Sequence, residues 1–152
     1  MKIRIANRQK RTKIDSRRIR GKVIRLLRLI DCAEKEISIT FVDDEAIRLL
    51  NRRYLRLDKP TNVLSFSLEE GECGGVNPGL LGDIVISVDT ALRDAKLGGL
   101  SLEEELIFLI IHGLLHLTGY EHVGTSRANA RKMKNREKEL FRALTTFDAR
   151  FG

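Results

Sequence analysis

The sequence is poor in several residue types, and each shortage excludes a class of protein. It has no Trp and only 5% aromatic residues, so a large platform for stacking nucleic-acid bases is not indicated. Its two cysteines, Cys32 and Cys73, form no C-x-x-C pair, and we expect free thiols in a reducing compartment. No apolar run approaches membrane-spanning length, and the basic, alternating N-terminal residues lack a signal-peptide pattern. We therefore expect a cytoplasmic protein with no membrane partner.

The remaining composition is typical of one soluble folded domain. Hydrophobic residues make up 42% of the chain and charged residues 32%. A chain of 152 residues is long enough to bury a substantial core. Because no repeat, low-complexity tract or linker divides it, we predict a single domain over residues 1–152. The oligomeric state cannot be deduced from these properties.

The charge is spread unevenly along the chain. Residues 1–28 contain twelve Lys or Arg against one acid, whereas residues 29–126 contain eight against seventeen. The C-terminal part is basic again, with eight against three. Clustered Lys and Arg favour binding to a polyanion such as RNA, because they neutralise phosphates. A solvated, salt-bridged surface explains the same charges equally well, and both interpretations remain open at this point.

Hydrophobic periodicity predicts an α+β fold. Alternating apolar residues indicate strands, and apolar residues three or four apart indicate helices. Ser101 followed by Glu104 forms a capping box that begins a helix, and that helix is apolar nearly all round, so we expect it to be central and buried. The predicted strands are 2–7, 36–42, 62–68 and 81–86, and the predicted helices are 16–33, 44–54, 88–96, 102–117 and 126–147. The same periodicity predicts Lys22 on an exposed basic face of the first helix and Tyr54 on the inward face of the second. The residues that can cap the helix starts are Asp15 or Ser16, Asp43 or Asp44, Ser87 and Ser101.

All three histidines lie in one eleven-residue run, HGLLHLTGYEH. His112 and His116 are four residues apart and therefore share one face of a helix, and Gly119 permits a turn that brings His122 back toward them. Three neutral imidazole ligands with a fourth position left to water are the arrangement of a catalytic zinc site. We predict one zinc ion with an open fourth position, bound by His112, His116 and His122.

Gly113 distinguishes this run from the zinc peptidases whose ligand spacing it shares. In the H-E-x-x-H-x-x-G-x-x-H peptidases the residue after the first ligand is a glutamate that acts as the general base. Glycine at that position cannot accept a proton. Either another group activates the water, or the substrate is not a peptide.

Two further segments carry a family resemblance. Together with the histidine run, PTNVLSF at 60–66 and LLGDIVIS at 80–87 resemble the signatures of the YbeY family of bacterial rRNA maturation endoribonucleases. The resemblance extends from about residue 37 to 140. It implies a zinc metalloprotein with a mixed, mostly four-stranded sheet packed by about five helices, and it assigns the metal ligands to the three histidines.

The resemblance also implies a function. Members of the family are single-strand-specific endoribonucleases that act in maturation of the 16S rRNA of the small ribosomal subunit and in ribosome quality control. We therefore expect a hydrolase whose partners are single-stranded RNA, rRNA and the small ribosomal subunit. Zinc and a nearby Arg or Lys can stabilise the charge that phosphodiester hydrolysis builds, without a carboxylate base at position 113.

One departure from the family pattern concerns catalysis. The family has an arginine five residues before the proline of its P-T-D/N-V-L-S-F motif, and Leu55 stands there in this chain. The adjacent Arg56 is our candidate for the catalytic cation, with Arg53 and Lys59 as rivals. Asp83 either orients a metal-binding histidine or bonds a nearby turn.

Two other functions remain open at this stage. A metallopeptidase-like zinc hydrolase would share the ligand spacing, although Gly113 and the basic ends count against it. A non-enzymatic, zinc-stabilised RNA-binding factor for ribosome assembly would use the same metal site structurally.

Overall fold

A mixed four-stranded sheet organises the chain. The computed structural model describes residues 2–67, 79–120 and 127–151. The elements in chain order are β1 (Lys2–Asn7), α1 (Ser16–Leu29), β2 (Glu36–Val42), α2 (Asp44–Leu55), β3 (Val63–Ser67), β4 (Leu80–Ser87), α3 (Val88–Gly98), α4 (Leu102–Leu115), a π-helical turn (His116–Tyr120) and α5 (Arg127–Phe151). The strand order is β1-β2-β4-β3, with β3 antiparallel at one edge and the other three strands parallel. The predicted α+β class, mixed sheet and five helices are confirmed.

The two faces of the sheet are covered unequally. Ile37, Ile39 and Phe41 of β2 lie on the face that packs against α1, α3, α4 and α5, where the main core is buried. The opposite face carries a smaller apolar cluster beneath α2, which includes Val42 and Val85. Among the described residues α2 is the element that covers this second face, and a groove lies beside the helix.

Helix starts agree with the predicted capping residues. Asp15, Asp43, Ser87 and Ser101 each accept a backbone hydrogen bond from the first turn of the helix that follows. The capping box of Ser101 and Glu104 is present with both of its hydrogen bonds. None of the described helices combines the length and apolarity that crossing a membrane requires.

The end of α1 differs from the prediction. The helix ends at Leu29 rather than near residue 33. Asp31 adopts a left-handed φ of 60°, and the Cys32 N–H then donates to the Leu27 carbonyl at 2.7 Å. The helix is therefore closed by a left-handed turn, a device common at helix ends that apolar periodicity alone does not reveal.

Two side chains have the opposite burial from that predicted. Lys22 was expected on the exposed basic face of α1, but it is buried, with its ammonium 3.3 Å from a carboxylate oxygen of Glu103. Tyr54 was expected to point inward from α2, but it is 55% exposed. Asn51 is buried in that helix instead, and its amide donates to the Lys59 carbonyl at 2.9 Å.

Helix α4 is central and buried, as predicted, and it packs closely against the sheet at Gly113. A Cβ atom at this position would lie 3.0 Å from Ile84 Cδ1 and 3.0 Å from Ser65 Oγ. Both of those side chains come from the sheet, from β4 and β3 respectively. Glycine is thus the residue that lets the helix backbone rest directly on these two strands.

Gly82 likewise permits a close contact, here between β4 and β3. Glu36 pairs with Leu80 and Ile37 pairs with Gly82, so Leu81 is an extra residue that forms a bulge. Gly82 has a φ of 150°, and a Cβ atom there would lie 2.2 Å from the Phe66 carbonyl oxygen. The LLGD sequence therefore encodes a bulge that only glycine accommodates.

We expect Gly82→Ala to destabilise the protein by roughly 3 kcal/mol, because it adds backbone strain to a steric clash. Gly98→Ala is the matched control, since a Cβ there meets nothing within 4 Å and the residue ends α3. That control should be neutral or stabilising by up to about 1 kcal/mol. Urea unfolding followed by circular dichroism measures both, and equal midpoints for the two variants would contradict this account of the bulge.

Candidate metal centre

Two of the predicted ligands lie together at the end of α4. His112 occupies the last turn of the α-helix, and His116 begins the π-helical turn that continues it. Their Nε2 atoms are 2.9 Å apart, and their ring centres are 4.4 Å apart. The side chains therefore converge on one point, as their spacing of four residues predicts.

A buried carboxylate from α5 contacts the first of these histidines. Glu137 Oε1 lies 2.5 Å from His112 Nδ1, and the Glu137 side chain is only 8% exposed. Because a carboxylate accepts, Nδ1 carries the hydrogen and Nε2 keeps its lone pair, which faces His116. Metal-binding histidines commonly donate their other ring N–H to a carboxylate, which sets both tautomer and orientation.

Sequence reasoning missed Glu137, although a signal for it exists. Met133, Leu140 and Leu144 pack into the main core from α5. Glu137 follows Met133 by four residues and precedes Leu140 by three, so it occupies the apolar stripe of an otherwise basic helix. An acid in an apolar stripe needs a buried partner, and His112 is that partner.

Asp83, the sequence-based candidate for this orienting role, lies elsewhere. Its neighbour Ile84 packs against α4 beside Gly113, and successive strand residues point to opposite faces. Asp83 accordingly faces the side of the sheet that α2 covers, where it lines a groove with Thr40 and Tyr54. Its alternative role as an acceptor for a nearby turn has no hydrogen bond to support it in the described part of the chain.

The histidine pair fits a zinc ion. Two tetrahedral zinc ligands with bonds of 2.0–2.1 Å lie roughly 3.3 Å apart, so the pair at 2.9 Å needs only a small separation to accept the ion. His112 is 37% exposed, which leaves the point of convergence accessible. His122, the third predicted ligand, belongs to residues 121–126 and lies outside the described residues. Within the described ranges no cluster of three or more potential ligands occurs.

The presence of glycine at position 113 is explained by packing, in addition to its chemical consequence that no general base stands there. Glutamate at that position would need the space that Ile84 and Ser65 already fill. A peptidase-type glutamate at this position would therefore require the Ile84 and Ser65 side chains to shift.

The candidate cation Arg56 lies at the end of α2. It is exposed, it adopts a left-handed φ of 58°, and its N–H donates to the Arg52 carbonyl at 3.1 Å. The rival cations Arg53 and Lys59 are exposed as well. No contact in the described part of the chain joins any of the three side chains to the histidine pair, so the assignment of Arg56 stays a prediction.

Some basic side chains form ion pairs with carboxylates of the same chain, and others are exposed to solvent. Arg18 makes two hydrogen bonds to Glu103, which lower the pKa of that carboxyl, and the neighbouring Lys22 lowers it further. The outer surface of α5 is different, because its basic side chains are exposed: Arg127, Arg131, Lys132, Lys134, Lys138 and Arg142. One helix thus presents a carboxylate inward to His112 and a row of positive charge outward.

Glu137→Ala should weaken zinc binding by about 10- to 100-fold, because His112 loses the group that fixes its tautomer. Glu137→Gln should stay close to wild type, since its amide oxygen still accepts from Nδ1. Competition with a chromogenic chelator measures these affinities. Glu139→Ala is the matched control, because Glu139 is exposed on the same helix and, in the described structure, pairs with the half-buried Arg136 rather than with His112. Equal zinc affinities for Glu137→Ala and Glu139→Ala would refute the orienting role.

Comparisons with known proteins cover nearly the whole chain. A family model described as "Endoribonuclease YbeY" matches residues 4–145. The chain is 58% identical over 141 residues to the Endoribonuclease YbeY of Syntrophus aciditrophicus, covering 93% of this chain and 88% of that one. It is 46% identical over 144 residues to the protein of that name from Geobacter metallireducens, covering 95% and 96%. The solution structure of TM1509 from Thermotoga maritima aligns with a TM-score of 0.65 at 25% identity, covering 93% and 88%.

Proposed function

The chain belongs to the endoribonuclease YbeY family, and on that premise we propose that it cleaves single-stranded RNA endonucleolytically at a zinc centre on α4. The family and the class of enzyme, a hydrolase that acts on RNA, agree with what the sequence predicts. The observation that carries the site is the convergence of His112 and His116, with Glu137 behind His112.

The proposed zinc ligands are His112, His116 and His122. When bound, zinc supplies a Lewis acid that lowers the pKa of water and offsets the negative charge that develops on the phosphoryl oxygens. His112 and His116 hold their Nε2 atoms toward one point, and Glu137 keeps the hydrogen of His112 on Nδ1. Two imidazoles carried by a buried helix are a rigid platform, which favours an ordered site.

The chain's own cations complete the proposed mechanism. The attacking oxygen comes from water or from the ribose 2′-hydroxyl, and its bond to phosphorus forms as the P–O bond to the leaving ribose oxygen breaks. The attacking oxygen loses a proton and the leaving oxygen gains one, and Gly113 cannot serve as the acceptor. We assign Arg56 to the nonbridging phosphate oxygens, with Arg53 and Lys59 as alternatives, because a guanidinium binds two such oxygens at once. The exposed basic side chains of α5 support the approach of a polyanion to this region of the molecule.

The finer biological assignment is also a proposal. We infer that the substrate is 16S rRNA during maturation, that the partner is the small ribosomal subunit, and that the protein acts in the cytoplasm. The family resemblance of the three sequence motifs supports these assignments. Gly113, which offers no general base and packs closely against Ile84 and Ser65, argues against the metallopeptidase alternative.

Purified protein should cleave single-stranded RNA but not a duplex of the same sequence, and removal of zinc should lower the rate at least about 100-fold. His116→Ala should fold and bind RNA but not cleave it. Cleavage of labelled RNA, circular dichroism and RNA binding measure these properties. Product ends identify the nucleophile, because a 2′,3′-cyclic phosphate indicates attack by the 2′-hydroxyl.

Two results would count against this proposal. RNA cleavage that is independent of metal would reject the zinc centre. An unfolded His116→Ala protein, combined with a wild type that binds RNA without cleaving it, would favour the non-enzymatic assembly factor.

A further inference from the structure

A groove of about 820 Å³ lies between α2 and the sheet, on the face opposite the histidine pair. Its floor includes the buried Val42 and Val85, and its half-buried walls include Thr40 and Asp83. The volume falls in the range of about 300–1,000 Å³ that is usual for small-molecule sites. The groove is therefore large enough for one unit of a polymer such as a nucleotide.

We propose that this groove binds one nucleotide of the RNA substrate and selects its base. The proposal rests on the proposed function, since it extends the path of the same RNA strand. It assigns the base to the interior of the groove and the phosphate to the rim.

Two aromatic rings provide a surface for the base. Tyr54 and Phe66 both line the groove, with ring centres 5.2 Å apart at an interplanar angle of 63°. Tyr54 is 55% exposed, although it belongs to an amphipathic helix whose apolar side faces the sheet. An exposed ring at the mouth of a groove favours stacking with a flat, apolar ligand face such as a nucleobase.

Two arginines at the rim suit a phosphate. Arg8 and Arg53 line the groove and are exposed, and the Arg53 guanidinium lies 5.4 Å from the centre of the Tyr54 ring. Neither arginine is ion-paired with another residue in the described part of the chain. Arg11, Arg48 and Arg93, by contrast, each have a carboxylate partner. Guanidiniums that form no ion pair in the described residues, beside an aromatic surface, match the alternation of phosphate and base in a single strand, although Asp43 and Asp83 also line the groove.

The acceptor inside the groove indicates which bases fit. Asp83 lies in register with Ser38 on one side and with Phe66 on the other, in the middle of the open sheet face. No side chain in the described residues donates a hydrogen bond to its carboxylate. Adenine, cytosine and guanine carry exocyclic amino groups that donate to such an acceptor, whereas the donor of uracil is its ring N3–H, which is flanked by two carbonyl oxygens that a carboxylate repels. We therefore assign to Asp83 a preference against uracil at this position.

The edge strand connects the groove to the metal centre. Ser65 points toward Gly113 and α4, whereas the next residue, Phe66, points into the groove. Because β3 is the edge of the sheet, a single strand of RNA can pass around it from one face to the other. A duplex is too wide and stiff to follow this path, which agrees with a single-strand-specific enzyme.

The test measures binding of zinc-loaded protein to fluorescent 12-residue 2′-O-methyl RNAs of single composition, with gels confirming that they stay intact. Tyr54→Ala and Arg8→Ala should each weaken binding at least about fivefold, and Tyr54→Phe should restore it because the ring is retained. Asp83→Asn should reduce the preference of the wild type for the C-only over the U-only 12-mer. Leu97→Ala is the control, since Leu97 is 88% exposed on α3 and does not line the groove.

The possible failures are distinguishable. Wild-type protein that neither binds nor cleaves RNA would overturn the proposed function, and this inference with it. A different result would overturn only the nucleotide-binding role of the groove. In that case the wild type binds and cleaves RNA, and Tyr54→Ala and Arg8→Ala bind RNA as tightly as Leu97→Ala does. The groove would then be assigned to a protein partner. Equal binding of C-only and U-only RNA by the wild type would reject the role of Asp83 in base selection.

Discussion

The direct contact between α4 and the sheet at Gly113 is the constraint on which the rest of the structure depends. The helix is buried among apolar side chains, and with no Cβ at Gly113 its backbone rests on Ile84 and Ser65. That contact sets the height of the helix above the sheet. It thereby helps to determine where His112 and His116 present their rings, and a side chain at position 113 would require Ile84 and Ser65 to shift.

The orientation of the histidines depends on a second contact, made by α5. Glu137 comes from the apolar stripe of that helix and reaches His112 across the core, so folding of the C-terminal helix and ordering of the site are coupled. A buried carboxylate is costly unless it is hydrogen-bonded. The imidazole satisfies it, and the same interaction holds the second ring nitrogen ready for a metal. The helix also exposes a basic outer surface, to which we assign the approach of RNA as part of the proposed function.

The sequence predicted most of the fold because the deciding signals are local. Alternating apolar residues located the strands, and the capping box at Ser101 located the start of α4. Predictions were wrong where tertiary packing decides: Lys22 is buried because α1 packs near Glu103, and Tyr54 is exposed where α2 ends. The apolar stripe of α5 marks Glu137 as a buried acid, but its partner His112 lies 25 residues away, and no local pattern encodes that pairing.

The central claim is that His112 and His116, supported by Glu137, form part of a zinc site. The most direct measurement is a crystal structure of the zinc-loaded protein with anomalous data collected at the zinc absorption edge. The account predicts one anomalous peak within about 2.0–2.1 Å of both Nε2 atoms. A zinc peak away from these histidines, or no peak under conditions in which the enzyme is active, would contradict it.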